Sequence, residues 1–171
     1  GPDAPAAAAA TPRGAVDAIR ASRLVDVDLS GCPAAVASGA RGLQRSLAAA
    51  AERLSVDLYE HRDHFLHELF QNADDARHDG VDAPALEVGL SGSWFFASSN
   101  QRPGFDAADV RAICDVNAST KAGDAATTGH KGIGFKAVFA MCDRPCVLSN
   151  GFAFYFDAAR DGPLGLVAPR W

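Results

Sequence analysis

The stretch HELFQNADDA, residues 67–76, begins like the H-E-x-x-H helix of a zinc hydrolase, in which two histidines bind the metal. Gln71 stands where the second histidine should be, and HFLHE reverses the H-x-x-E-H order of another zinc class. A zinc hydrolase would use His61, His64, His67 and His78 as ligands. No third ligand is evident beside His64 and His67, so these histidines are expected at the surface and at helix ends.

The same stretch places three carboxylate or amide side chains on one side of a predicted helix. Glu68, Asn72 and Asp75 stand at i, i+4 and i+7, so they fall within about 60° of one another around the helix axis. Beside this polar ridge runs an apolar stripe of Phe65, Leu66, Leu69, Phe70 and Ala73. A solvated helix face is normally wide and includes Lys or Arg. The narrow ridge, made purely of carboxylate and amide side chains, therefore favours a functional site.

A glycine cluster forms the second candidate site. In GHKGIGF, Gly129, Gly132 and Gly134 have the spacing G-x-x-G-x-G, directly before a predicted helix. Free N–H groups and the positive end of the dipole at a helix N-terminus attract anions, and glycines let the backbone approach phosphate oxygens. The spacing differs from that of the P-loop and of dinucleotide-binding folds, so by itself the cluster is only weak support for an anion site.

Helices are predicted to position the first site. From Ala15 to about Gly80, apolar residues recur every three or four positions and alanine is abundant, as in amphipathic helices. Residues 1–13 contain little bulky apolar surface, and Gly1-Pro2 is typical of a scar left when a tag is cleaved off. We therefore predict residues 1–13 to be disordered and residues 14–171 to be one folded domain.

Two hairpins are predicted in the second half of the chain. ALEVGL and SWFFASS flank a turn at Ser91-Gly92, and CVLS and FAFYFD flank Asn150-Gly151, a strong hairpin signal. PLGLVAPRW predicts one more, weaker strand at the end.

The glycine cluster is predicted to lie between a long loop and a helix. Asp106 is placed to cap a short helix before the loop. The loop itself is polar and aperiodic, and loops of that length are usually lids, binding loops or disordered. Behind the glycines, a helix is predicted with Phe135, Val138, Phe139 and Cys142 on one face.

Composition narrows the class of protein. The chain has 171 residues, 48% of them apolar, which suits one globular domain. A net charge of -5 argues against a nucleic-acid-binding surface. Four cysteines without C-x-x-C pairs predict an intracellular address, cytoplasmic or nuclear, and no apolar run is long enough for a membrane span.

The order of the motifs resembles a known superfamily. E-x-x-x-N-x-x-D-A, two strands, a loop with STK and then G-x-x-G-x-G-F-K-x-V-F follow one another as in the GHKL ATPases, which include histidine kinases and heat-shock chaperones. Within that superfamily, ELFQNADDA, VRAICDVNASTK, GHKGIGFKAVF and SNGFAFYFD resemble the sacsin and plant NO VEIN branch. The likeness covers about residues 40–157, and four motifs in the expected order make it specific.

The resemblance implies a role for each site residue. In ATP-hydrolysing members, the glutamate at the position of Glu68 is the general base for the attacking water, and the asparagine at Asn72 gives its amide oxygen to Mg²⁺. Asp75 is expected near the nucleoside. The residues implied to bind phosphate are Lys121, Gly129, Gly132 and Gly134, with residues 117–131 as the mobile lid. ATP and Mg²⁺ are thus the implied cofactors.

One departure concerns adenine recognition. Members of the superfamily usually have an aspartate in a D-x-G-x-G-type stretch after the second strand, which accepts a hydrogen bond from the adenine amino group. Here the stretch is SSNQRPGF, in which Asn100 or Gln101 takes the place of the aspartate and Gly104 is the remaining glycine. An amide lacks the charge that makes such bonds about twice as strong, so weaker adenine recognition is expected.

The resemblance also implies a fold and a function. The fold is an α/β structure of the α+β kind, a two-layer sandwich with a mixed, mainly antiparallel sheet and helices on one face, known as the Bergerat fold. Because the superfamily adds strands after the last hairpin, we expect a C-terminal truncation. The implied function is Mg-ATP binding with slow hydrolysis in a chaperone-like or conformational-switch domain of a larger protein, with a protein client and a homodimer in the full-length protein. The alternative is an inactive scaffold or interaction module of the same fold.

Overall fold

The structure is a computed structural model that describes residues 11–59, 64–116 and 133–171. Three helices come first, as predicted: α1 (Pro12–Ser22), α2 (Ala34–Tyr59) and α3 (His64–Asp74). Thr11 caps α1, because its Oγ1 accepts a hydrogen bond from the Gly14 N–H at 3.0 Å, and Pro12 occupies a position that needs no N–H. Helix α1 thus begins two residues before the predicted boundary at residue 14.

The strands form two antiparallel hairpins at the predicted places. β1 (Leu86–Ser91) pairs with β2 (Trp94–Ser99), and β3 (Cys146–Ser149) pairs with β4 (Phe152–Tyr155). Each hairpin is its own two-stranded sheet within the described ranges. With the helices they confirm the α+β class, although no hydrogen bonds join the hairpins into one larger sheet in the part of the chain that is described.

Short helices connect and follow the hairpins. α4 (Ala107–Ile113) has the predicted cap, since the Asp106 carboxylate accepts from the N–H groups of Ala108 and Asp109, and Asp109 bonds back in a capping box. α5 (Ile133–Lys136) runs into the 3₁₀ helix Ala137–Ala140, and α6 (Ala158–Asp161) runs into the 3₁₀ helix Gly162–Leu166.

The end of the chain differs from the prediction. PLGLVAPRW was expected to form a strand, but all of PLGL lies in the 3₁₀ helix, and within PLGLVAPRW only Arg170 forms a bridge, with Tyr155 of β4. Two backbone bonds of 2.7 and 2.8 Å join these two residues. Pro163 lacks an N–H, which disfavours a paired strand there.

One hydrophobic core joins α1, α2, α4, β4 and the two 3₁₀ helices. Its largest fully buried apolar side chains are Phe156, Val16, Val110 and Val167. The Phe156 ring contacts three other phenylalanine rings, those of Phe135, Phe139 and Phe154, at centroid distances of 5.6 to 5.8 Å. None of the helices within residues 11–59, 64–116 and 133–171 is long and apolar enough to cross a membrane.

A cluster of ion pairs, buried except for Asp26, connects α1 with the end of the chain. Arg20 donates to Asp161 at 2.8 Å and to Asp26 at 2.6 Å, and Arg170 donates to the other Asp161 oxygen at 2.5 Å. Burial alone would raise the pKa of Asp161, but the bonds from Arg170 and Arg20 outweigh it and lower that pKa to about 2. Asp161 is therefore a carboxylate under ordinary conditions.

Candidate functional site

Helix α3 carries the first predicted site residues. Glu68 and Asn72 are partly buried, whereas Asp75 is exposed and lies just beyond the end of the helix. The predicted apolar stripe is only partly buried. Phe65 is buried and meets the Phe95 ring of β2 edge-on at 5.5 Å, but Leu66 and Phe70 are exposed. Contact with the β1–β2 hairpin through Phe65 thus fixes one side of α3.

The second predicted site is described only in part. Gly134 lies within α5, whereas Lys121, Gly129, Gly132 and the predicted lid, residues 117–131, lie outside the described residues. α5 and the 3₁₀ helix after it both pack against α3. The helix that carries Glu68 and Asn72 is therefore a neighbour of the helix that contains the last glycine of the cluster.

Asn100 has a structural role that its sequence did not reveal. Its side-chain oxygen accepts from the Ala85 N–H at 2.9 Å, and its side-chain nitrogen donates to the Ala83 carbonyl at 2.9 Å. Both ends of the amide are thus bonded to the loop that leads into β1. An adenine contact by Asn100 would have to displace these bonds. Gln101, the other predicted adenine residue, is partly buried and bonds through its backbone N–H to Ser99 Oγ at 3.3 Å.

Gly104 lies where no side chain fits. A Cβ at this position would come within 2.8 Å of both Asn150 Cβ and Ser149 Oγ, in the turn between β3 and β4. Next to it, the Phe105 N–H donates to Ser149 Oγ at 2.9 Å, and the Asn150 side chain donates to the Phe105 carbonyl at 3.0 Å. Gly104 thus lets the segment after β2 lie directly on the second hairpin.

Lys136 is a buried charge that the sequence pattern did not single out. It is fully buried, and Nζ donates to the Ile113 carbonyl at 2.5 Å and to the Leu166 carbonyl at 2.6 Å. Nζ also lies 5.2 Å from the centre of the Phe156 ring. Burial lowers the pKa of Lys136 from 10.5 to about 8. A lysine on a predicted amphipathic helix is ordinarily read as exposed, so sequence alone offered no signal.

A small cavity of about 260 Å³ lies between α1 and α4. Its described lining includes Ser22, Arg23, Arg111 and Asp115, and none of the predicted nucleotide-site residues. Arg23 Nη2 donates to the Cys114 carbonyl at 3.4 Å. This acceptor lies at the C-terminal end of α4, and the cavity shares no residue with the part of the predicted phosphate site that the structure describes.

Comparison with known proteins supports the resemblance seen in the motifs. Residues 92–161 match the family described as the Sacsin domain. Over 123 residues the chain is 42% identical to the protein NO VEIN of Arabidopsis thaliana, a match that covers 72% of this chain and 4% of NO VEIN. No solved structure matches the chain. The similarity thus supports the sacsin and NO VEIN branch and concerns a small part of a much longer relative.

Proposed function

We propose that this chain is a Mg-ATP-binding domain of GHKL type, from the sacsin and NO VEIN branch, and that it hydrolyses ATP slowly as part of a larger protein. The packing of α3 against α5 carries the proposal, because it makes the helix with Glu68 and Asn72 a neighbour of the helix with Gly134. Similarity to the Sacsin domain and to NO VEIN supports the same branch.

The residue types on α3 fit a magnesium nucleotide. An amide oxygen such as that of Asn72 is a hard ligand, and partial burial leaves room for the waters and phosphate oxygens that Mg²⁺ prefers. Bound Mg²⁺ would neutralise charge on the phosphates. Glu68, one helical turn earlier, would accept a proton from the attacking water, and Asp75 would lie toward the nucleoside.

Adenine recognition is assigned to Gln101 rather than Asn100. The two ends of the Asn100 amide already bond to Ala83 and Ala85, so a contact between Asn100 and adenine would have to replace these two bonds. An uncharged amide acceptor gives a weaker bond than the aspartate of related ATPases. We therefore expect modest affinity for ATP.

Nucleotide binding would serve a change of shape. By analogy with the superfamily, we propose a chaperone-like or conformational-switch role, with a protein client and a homodimer formed by the longer protein, in the cytoplasm or nucleus.

Calorimetric titration of this chain with Mg-ATP tests the proposal. We expect heat of binding from the unchanged protein and a Kd at least about tenfold higher in Asn72→Ala, because a bond to a charged group contributes about 1.5–3 kcal/mol. Gln71→Ala is the matched control, since Gln71 is exposed on the same helix. Omitting Mg²⁺ should weaken binding by the unchanged protein more than binding by Asn72→Ala.

A second candidate function is a scaffold of the same fold without nucleotide. The hydrogen bonds that the Asn100 amide already makes favour it, because one of the two residues available for adenine is engaged elsewhere. The titration separates the two functions. If the unchanged protein gives no heat of binding with Mg-ATP, the scaffold function is favoured. If Asn72→Ala and Gln71→Ala bind Mg-ATP with equal affinity, Asn72 is not part of the site.

A further inference from the structure

Lys136 is bonded to the C-terminal ends of two separate helical elements. Ile113 is the last residue of α4, and Leu166 is the last residue of the 3₁₀ helix Gly162–Leu166. Carbonyls at such ends have no partner within their own helix, and they carry the negative end of the helix dipole. Ile113 and Leu166 are themselves buried, so the ammonium replaces the water that these carbonyls would otherwise bind.

The environment of Lys136 supplies partners for an ammonium, although burial opposes the charge and lowers the pKa. An ammonium has three N–H donors, of which two reach carbonyls, and Phe139 and Phe156 present their rings at 6.0 and 5.2 Å. The other titratable or charged groups that act on it are Cys114, Arg23 and Asp115. A buried charge costs free energy, whereas an apolar side chain of similar volume does not, so packing alone does not explain a lysine here.

The helix that carries Lys136 depends on outside contacts for its position. α5 has four residues, and helices of that length are not stable by themselves. It contains Gly134 and lies against α3. The bond from Lys136 to Ile113 also connects α4, which precedes residues 117–132, with α5, which follows them.

We propose that the Lys136 ammonium is a positioning group, which holds α5 and its Gly134 at a fixed place relative to α4 and thereby sets the geometry of the phosphate side of the nucleotide site. Its part in phosphate binding rests on the proposed function. Its part in joining α4 to α5 does not, and the two parts are tested by different measurements.

The connection that Lys136 makes between α4 and α5 is tested first, without nucleotide. The chain has three lysines, Lys121, Lys131 and Lys136, so a spectrum of protein labelled with ¹⁵N-lysine is simple to assign by substitution. We expect one ammonium whose protons exchange slowly with water and which loses a proton near pH 8, and we expect Lys136→Met to abolish that signal. Absence of any such ammonium from the unchanged protein would overturn the proposal, even if the variant fails to fold.

Amide hydrogen exchange then locates the effect of Lys136→Met. Met keeps most of the apolar stem and removes the charge. Exchange should become about tenfold faster or more at the end of α4 and in α5, since the charge-assisted bonds of Lys136 to Ile113 and Leu166 are lost. Arg20→Met is the matched control, because Arg20 is a buried cation in the separate cluster with Asp161. If exchange in α4 and α5 becomes faster by the same factor in both variants, Lys136 contributes only to the general stability of the fold.

Mg-ATP titration of the same proteins tests the phosphate part. The Kd should rise about tenfold or more in Lys136→Met and stay within about twofold in Arg20→Met. The affinity of the unchanged protein should also fall as the pH rises through about 8, whereas Lys136→Met should show no such step. If the unchanged protein does not bind Mg-ATP, the proposed function fails. The exchange data then still show whether Lys136 connects α4 with α5. Normal binding by folded Lys136→Met would overturn the positioning role alone.

Discussion

Asn100 and Gly104 both hold chain segments together just after β2. Asn100 closes the loop before β1 through its side-chain amide, and Gly104 allows the backbone to rest on the turn after β3. Their types were read from the sequence as part of a nucleotide site. The residue types at these two positions indicated a special structural or functional role. The groups that Asn100 and Gly104 contact could be known only from the structure, because those groups lie in other segments of the chain.

Gly104→Ala is expected to destabilise the fold. The added Cβ would press on Asn150 Cβ and Ser149 Oγ, and overpacking of this kind costs about 1–3 kcal/mol. The measurement is the denaturant midpoint of the variant. Gly39→Ala is the control, because Gly39 is an exposed helical residue of α2 with nothing within 4 Å of an added Cβ, and it should gain about 0.5–1 kcal/mol. A Gly104→Ala protein as stable as the parent would contradict the close approach.

The elements with strong local signals were predicted well. The turn at Asn150-Gly151 and the aspartate cap at Asp106 were each recognised from neighbours in sequence and are confirmed, whereas the first turn lies at Gly92-Ser93, one residue after the predicted Ser91-Gly92. The prediction of a final strand in PLGLVAPRW was wrong. A strand there would need long-range backbone pairing, and within this segment only Arg170 makes such a pairing. The burial of Lys136 was likewise missed, since its acceptors are 23 and 30 residues away.

Helix α3 is the element on which hydrolysis depends. We expect Glu68→Ala to slow Mg-ATP hydrolysis by about 10²–10⁴-fold, the usual effect of losing a general base, while Mg-ATP still binds. Phosphate release is the measurement. Glu87→Ala is the matched control, because Glu87 is exposed on β1. If Glu68→Ala and Glu87→Ala release phosphate at the same rate as the unchanged protein, Glu68 is not the base.

The cluster of ion pairs connects α1 with the last residues of the chain. Its members are Arg20, Asp26, Asp161 and Arg170. Asp161 accepts from two arginines, one in α1 and one beside the chain end. Three of these four side chains are nearly buried, so their interaction is screened much less than a surface ion pair.

Stability toward acid should depend on Asp161. Its folded-state pKa of about 2 is below the unfolded value near 3.8, so its stabilisation is present above about pH 4 and is lost as the pH falls toward 2. Unfolding measured between pH 5 and 2 should show a loss of about 2 kcal/mol that is missing in Asp161→Asn. Asp17→Asn is the control, since Asp17 forms only an exposed pair with Arg13. Identical acid profiles of the parent and Asp161→Asn would contradict this role.

The same cluster has a mechanical consequence. Arg20 lies in α1 and Arg170 is one residue from Trp171, yet both donate hydrogen bonds to the Asp161 carboxylate. Tension pulling residues 11 and 171 apart would therefore load these charged contacts together with the apolar side chains of α1, which lie in the core. Separation of α1 would thus have to break ion pairs and apolar packing at the same time.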